Sequence, residues 1–130
     1  MNRQELLTKL DLAAGRLLRE KGYINYPGLF IALGCLDRRD YEAWRFRRVP
    51  YLERVIKLNL ARISFIMMSV RKNSLSGELK PSRTAYMSWG KGPERQLRFS
   101  KSGSAQIEQL WATHFLKPEK TPFRTENTDA

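Results

Sequence analysis

PYLERVIKLNLARISFIMMSVRK, residues 50–72, is the stretch on which the fold depends. At about 100° per residue, most of its apolar side chains fall in one broad arc and a few lie opposite, so a helix here would be apolar almost all round. Such a helix is buried between other elements. We therefore predict a long central helix over residues 51–72, with Pro50 in its first turn. Asn59 falls inside the main arc, so we expect a buried amide that finds its hydrogen-bond partners within the core.

Three shorter helices are predicted before this stretch. Apolar residues recur at three- and four-residue steps over residues 4–20, and Gly22 supplies the stop. Asn25 is a suitable cap for a second helix over residues 26–33. A third helix is predicted over residues 37–48, because an aspartate at its start can cap it.

A β-hairpin is predicted after the central helix. Residues 73–82 contain Ser, Gly and Pro and indicate a loop. Residues 84–89 and 95–100 then alternate polar and apolar side chains on either side of a Gly/Pro turn. In this alternation Tyr86 projects to the same solvent-facing side as Arg98.

The elements together predict a single α+β domain. A last helix starts at Ser104, which gives about five helices in a fold arranged around the long central one, with one antiparallel hairpin. The domain is expected to cover residues 1–116, and residues 117–130 to form a flexible tail. Helices followed by a basic hairpin are similar to winged-helix architecture, in which the recognition helix would be residues 37–48.

The positive charge is concentrated in the middle of the chain. The 130 residues include 24 Lys and Arg against 13 Asp and Glu, a formal net charge of +11. Residues 45–101 contain 14 of the basic and only 3 of the acidic residues, so this segment carries the whole excess. A polyanion is the partner that such a segment suits most directly. The alternative is that the small surface merely carries solvated charge.

We predict a non-enzymatic nucleic-acid-binding protein, with DNA favoured over RNA. The candidate binding residues are basic side chains near the end of the third helix and around the hairpin, with a tyrosine for stacking. They are Arg45, Arg47, Arg48, Arg83, Tyr86, Lys91, Arg95, Arg98 and Lys101. The alternative function is a protein-interaction module, an inhibitor or adaptor, that docks its basic face on an acidic protein.

Few residues are available for catalysis or metal binding. A single cysteine, Cys35, and a single histidine, His114, rule out an intramolecular disulfide and a Cys/His zinc cluster. The chain contains no Walker P-loop, no G-x-S-x-G elbow and no H-E-x-x-H motif. We predict no catalytic residues, no metal and no cofactor; an enzyme that uses a Cys35–His114 pair is a third alternative.

The sequence also bears on location. Its apolar runs fall short of the roughly 18 residues that a membrane helix needs, and its first residues lack the layout of a secretory signal. The expectation is a cytoplasmic protein without a membrane partner, and membrane-surface binding ranks fourth among the functions. The oligomeric state has no signature in the sequence.

Four short stretches carry a resemblance. They are DRRDYEAWR (37–45), VPYLE (49–53), WGKG (89–92) and LRFSKSG (97–103). Together they resemble a recurring type of small bacterial protein with no assigned function. The resemblance covers most of residues 20–116 and implies a bacterial origin, without an activity, cofactor or partner.

Overall fold

The computed structural model describes residues 2–73 and 79–117. Within these ranges it contains five α-helices, one short 3-10 helix and a three-stranded antiparallel sheet. The mainly helical α+β class is therefore confirmed. In chain order the elements are α1 (Arg3–Lys21), β1 (Tyr23–Ile24), α2 (Tyr26–Ala32), α3 (Arg38–Arg45), the 3-10 helix (Leu52–Val55), α4 (Leu60–Asn73), β2 (Lys80–Ser82), α5 (Ala105–Trp111) and β3 (His114–Leu116).

Gly22 and Asn25 cap the first two helices as the sequence predicts, and Asn2 adds an N-cap that was not predicted. In α1 the Asn2 side chain accepts from the Glu5 backbone N–H while the Glu5 carboxylate accepts from the Asn2 N–H, and Gly22 ends the helix with a left-handed φ of 83°. In α2 the Oδ1 atom of Asn25 accepts from the Gly28 N–H at 2.6 Å. Both helices lie within a residue or so of their predicted bounds because their ends are set by local side chains.

Helix α3 is shorter than predicted. It ends at Arg45 rather than continuing to residue 48, and Arg47 adopts a left-handed φ of 63°. The Asp37 side chain makes no capping hydrogen bond; its Oδ2 lies 3.0 Å from the Lys57 ammonium instead. The three residues after α3 thus form a turn that projects their side chains from the helix end.

The prediction of one helix over residues 51–72 is wrong. The 3-10 helix ends at Val55, Ile56 is extended, and α4 begins only at Leu60. Asn59 is exposed rather than buried, and its Oδ1 accepts from the Arg62 N–H at 2.9 Å, the geometry of a helix N-cap.

Long-range backbone contacts account for this break. The N–H groups of Leu52 and Glu53 donate to the Arg98 and Phe99 carbonyls at 3.2 and 2.9 Å, and the Lys57 N–H donates to the Cys35 carbonyl at 2.8 Å. The partners in these contacts lie far apart in the chain, so the break cannot be predicted from the helical periodicity of residues 50–72.

The sheet is formed by strands that the sequence analysis missed. Strand β3 lies between β1 and β2, and Phe115 is paired with Ile24 on one side and Pro81 on the other. The predicted loop over residues 73–82 therefore ends in an edge strand, where a proline is tolerated. Residues 74–78 of that loop lie outside the described residues, as do residues 118–130 of the predicted tail.

The predicted hairpin is present only as a short paired segment. Met87 and Gln96 form a single antiparallel bridge, flanked by hydrogen bonds from the Leu97 N–H to the Tyr86 carbonyl and from the Ser88 N–H to the Arg95 carbonyl, both 2.8 Å. The hairpin belongs to no regular sheet, and the winged-helix arrangement is not confirmed.

The second strand of the hairpin faces as predicted, with Arg98 exposed, but the first strand faces the opposite way. Tyr86 is buried and packs with Leu97 and Phe99 in the core, whereas Arg98 and Trp89 are exposed. A tyrosine can be buried without loss when its hydroxyl finds a partner, and His114 supplies one.

Aromatic side chains fill the centre of the molecule. Trp44 is fully buried, its Nε1 donates to the Arg98 carbonyl at 2.8 Å, and its ring lies 5.0 Å from that of Phe99. Phe99 in turn stacks on Trp111 at 5.5 Å. The last helix ends at Trp111, and Phe115 reaches the core from β3.

Candidate nucleic-acid interface

The end of α3 meets the turn of the hairpin. The Trp89 N–H donates to the Arg45 carbonyl at 2.8 Å, and the Trp89 ring meets the Phe46 ring edge to face at 5.7 Å. Gly90 lies against Phe46, and its φ of 105° is a conformation that L side chains rarely adopt. Phe46 and Trp89 are each 42% exposed, so both rings are available at the surface.

Four exposed basic residues neighbour this aromatic pair along the chain or across the hairpin. Arg47 and Arg48 follow Phe46 directly, and the Arg48 guanidinium lies 5.3 Å from the centre of the Phe46 ring. Lys91 is in the turn beside Gly90, and the Arg95 N–H donates to the Ser88 hydroxyl at 3.0 Å, next to Trp89. We call these four cations with Phe46 and Trp89 the basic–aromatic corner.

The cations of the corner are exposed and unneutralised. In residues 2–73 and 79–117 the ion pairs are Arg16–Glu20 and Lys57–Asp37, so none of the four pairs with a carboxylate. Glu94 is the acidic residue of the same turn. The corner therefore keeps a net positive charge beside two partly exposed rings.

Arg45 occupies a different position from its neighbours. It is half-buried, and its guanidinium lies over three rings, 4.6 Å from the centre of Trp89, 5.1 Å from Tyr86 and 6.0 Å from Tyr41. The sequence predicts its proximity to Arg47 and Arg48 but not this burial.

The structure divides the predicted binding residues. Arg45, Arg47, Arg48, Lys91 and Arg95 come together where α3 meets the hairpin turn. The Arg83 guanidinium contacts Gln109 on α5, and Arg98 donates to the Ser100 and Lys101 carbonyls of its own loop. The Lys101 N–H donates to Glu53. The side chains of Arg83 and Arg98 thus have contacts outside the α3–hairpin junction, whereas the Lys101 contact is made by its backbone and its side chain is exposed.

Tyr86 is not positioned to stack on a ligand base at the surface. Its ring is packed between core residues and its hydroxyl lies 3.0 Å from Nε2 of His114. Burial raises the pKa of the Tyr86 hydroxyl, which therefore stays protonated at neutral pH. Trp89 provides the exposed ring that the sequence analysis assigned to Tyr86. The adjacent Gly-Lys-Gly turn was the available signal, because residues beside a tight turn are commonly at the surface.

Cys35 and His114 contact different groups. The His114 ring stacks on Tyr23 at 4.8 Å and bonds with Tyr86, whereas the Cys35 thiol lies 3.8 Å from the Leu33 carbonyl. Burial raises the pKa of the Cys35 thiol, and the charge of Lys9 opposes this only in part. The raised pKa disfavours the thiolate, the nucleophilic form of cysteine.

The described part of the chain lacks two further features. No group of three or more His, Cys, Asp or Glu side chains is placed to hold a metal ion there. Nor does any helix in these ranges combine the length and apolar character needed to span a bilayer.

Comparisons of the chain with protein-family models, with curated proteins and with solved structures give no significant match.

Proposed function

We propose that the protein binds single-stranded nucleic acid through the basic–aromatic corner. In this proposal the four cations contact phosphates and unpaired bases stack on Trp89 and Phe46. The observation that carries it is the partly exposed edge-to-face ring pair beside four exposed basic residues without carboxylate partners. No catalytic step is included.

The exposed rings favour a single strand over a duplex. A duplex hides the faces of its bases in the stack and would meet the corner only through phosphates, whereas an unpaired strand offers both phosphates and ring faces. Stacking and phosphate contact do not read the 2′-hydroxyl, so the proposal includes DNA and RNA alike.

The charges set an expected salt dependence. Each phosphate neutralised on a single strand contributes about −0.7 to the slope of log K against log salt concentration. With each of the four cations on one phosphate, the slope should be about −3. If the partner is instead a specific acidic protein, binding of this chain to a random oligonucleotide should not show this slope.

The test is fluorescence anisotropy with labelled 12-nucleotide DNA and RNA strands and the matching duplex, at several salt concentrations. Trp89→Ala should weaken single-strand binding by roughly 5- to 150-fold, because stacking is worth about 1–3 kcal/mol per base. The double variant Arg47→Ala/Arg48→Ala should reduce the slope by about 1.4. Circular dichroism melts establish that each variant is folded.

A matched control separates the corner from general charge. Arg16→Ala/Arg19→Ala removes the same charge from the exposed face of α1 and should leave the slope close to wild type. If both double variants weaken binding equally, or if the wild-type slope is near zero, the corner is not a nucleic-acid site. A wild-type slope near zero would favour the alternative function, in which the basic segment binds an acidic protein.

A further inference from the structure

A small polar cleft is lined in part by Arg45, whose guanidinium also lies against Trp89 of the corner. Its volume is about 250 Å³. The residues that matter for its chemistry come from α1, β1, α3, the hairpin and β3. They are Lys21, Tyr23, Tyr41, Arg45, Tyr86 and His114.

The Arg45 guanidinium lacks an anionic partner. Its Nε is buried without a hydrogen bond, and the residues that the structure describes place no carboxylate in an ion pair with it. Charges removed from water are normally paired, since their desolvation is costly. Cation–π contacts with three aromatic rings offset part of the desolvation cost of the Arg45 charge, and a bound anion would offset the rest.

The rest of the lining suits an anion as well. Lys21 adds a second cation, and no acidic side chain of the described residues lines the cleft. The Tyr41 hydroxyl is a further hydrogen-bonding group there. Burial, and then the charge of Lys21, lowers the pKa of His114, so this ring is neutral at pH 7. The two positive charges at neutral pH are therefore those of Lys21 and Arg45.

The volume restricts the ligand to a small group. Drug-sized ligands occupy pockets of about 300–1,000 Å³, so a whole nucleotide would protrude from this cleft. The volume equals the share of roughly eight water molecules in the liquid, enough for a phosphate group and a few waters. A phosphate monoester carries a charge of about −1.5 to −2 at pH 7, which matches the two cations better than a singly charged internal phosphodiester.

We propose that the cleft between Lys21 and Arg45 binds a phosphate monoester. Because the Arg45 guanidinium also lies against Trp89, a terminal phosphate in the cleft would place its nucleotide beside the corner. This last step rests on the proposed function, whereas binding of a free phosphate monoester does not.

The test is isothermal titration of the full chain with adenosine 5′-monophosphate, inorganic phosphate and adenosine. A second arm compares the 12-nucleotide strand with a 5′-phosphate and with a 5′-hydroxyl by anisotropy. We expect adenosine 5′-monophosphate to bind and adenosine not to, and the 5′-phosphate to strengthen strand binding by about tenfold or more, since it adds a charged hydrogen bond.

Three variants locate the site. Lys21→Ala, Tyr41→Phe and Arg45→Lys should each weaken phosphate binding and reduce the 5′-phosphate advantage, while Lys9→Ala, another exposed lysine of α1, should change neither. Lys21 is exposed and Tyr41→Phe keeps the ring, so these two remain informative if Arg45→Lys does not fold.

The outcomes separate the two proposals. If the 5′-hydroxyl strand binds well but neither the monophosphate nor the 5′-phosphate is recognised, the cleft proposal is overturned and the corner stands. If the monophosphate binds and no strand does, the cleft stands and the corner fails. Phosphate binding that Lys21→Ala and Lys9→Ala reduce alike is adventitious, and it too overturns the cleft.

Discussion

Arg47 combines a strained backbone conformation with a proposed role in ligand binding. Among the described residues it is the one non-glycine with a positive φ, at 63°. A side chain in this region costs roughly 1–2 kcal/mol, and such positions concentrate at functional sites. Glycine would fit this turn with less strain. An arginine here is accounted for if its exposed guanidinium contacts a ligand.

Replacing Arg47 by glycine should therefore separate stability from binding. Relief of the left-handed strain outweighs the extra backbone entropy of glycine, so the free energy of unfolding should stay equal or rise by up to about 1 kcal/mol. The salt slope for a single strand should fall by about 0.7. Urea denaturation and anisotropy measure the two effects.

Arg48→Gly is the matched control, because Arg48 has an ordinary negative φ. Glycine there should reduce stability while removing the same charge. Equal destabilisation by the two glycine variants would mean that Arg47 carries no strain.

At the scale of elements, the sequence predicts what local chemistry determines. Helices α1 and α2 were predicted closely because Asn2, Gly22 and Asn25 fix their ends through neighbouring atoms. The strands were missed because they are two or three residues long and are held by partners far along the chain. The prediction of a continuous helix over residues 51–72 failed for the same reason.

The candidate site shows the same division. The cluster of Arg45, Arg47 and Arg48 could be seen in the sequence, since the three are nearly adjacent. The exposure of Trp89 and the burial of Arg45 depend on how α3 meets the hairpin. No periodicity within either segment carries that information.

Asn59→Ala tests the boundary of α4 directly. If Asn59 caps the helix, alanine removes the bond to the Arg62 N–H and should lower the free energy of unfolding by about 1 kcal/mol. In a continuous helix the same change would raise stability by a few tenths of a kcal/mol, because alanine is the better helix former. Urea denaturation gives the sign.

Two accompanying variants complete this measurement. Asn59→Asp keeps a capping oxygen and should stay near wild type. Ser64→Ala, at an exposed site inside α4, reports the effect of alanine in the helix itself. A stabilised Asn59→Ala would contradict the observed break.

The whole molecule should lose stability in mild acid through His114. This ring is surrounded by Tyr23, Tyr86 and the Lys21 and Arg45 cations, and burial lowers its pKa below the ordinary value of about 6.5. The unfolded chain therefore binds the proton more readily than the folded one. The stabilisation is present above about pH 6.5 and is lost as the pH falls through the folded pKa.

His114→Gln should reduce this pH dependence. Thermal melts between pH 7.5 and 5 should show a smaller fall in Tm for the variant than for the wild type, although the variant starts from a lower Tm at pH 7.5. Lys21→Ala removes a charge that lowers the His114 pKa and should give an intermediate profile. Identical slopes for wild type and His114→Gln would exclude His114 as the titrating group.

The order of the sheet has a consequence for how the chain acquires its shape during translation. Strand β3 is the partner of both β1 and β2. Ile24 therefore cannot pair with Phe115 until about 90 further residues have been synthesised. At about 5–20 residues per second the delay is on the order of 5–20 s, during which neither outer strand has its native neighbour. The nascent polypeptide can form α1 and α2 early, but it closes its sheet only after nearly every other described element has left the ribosome.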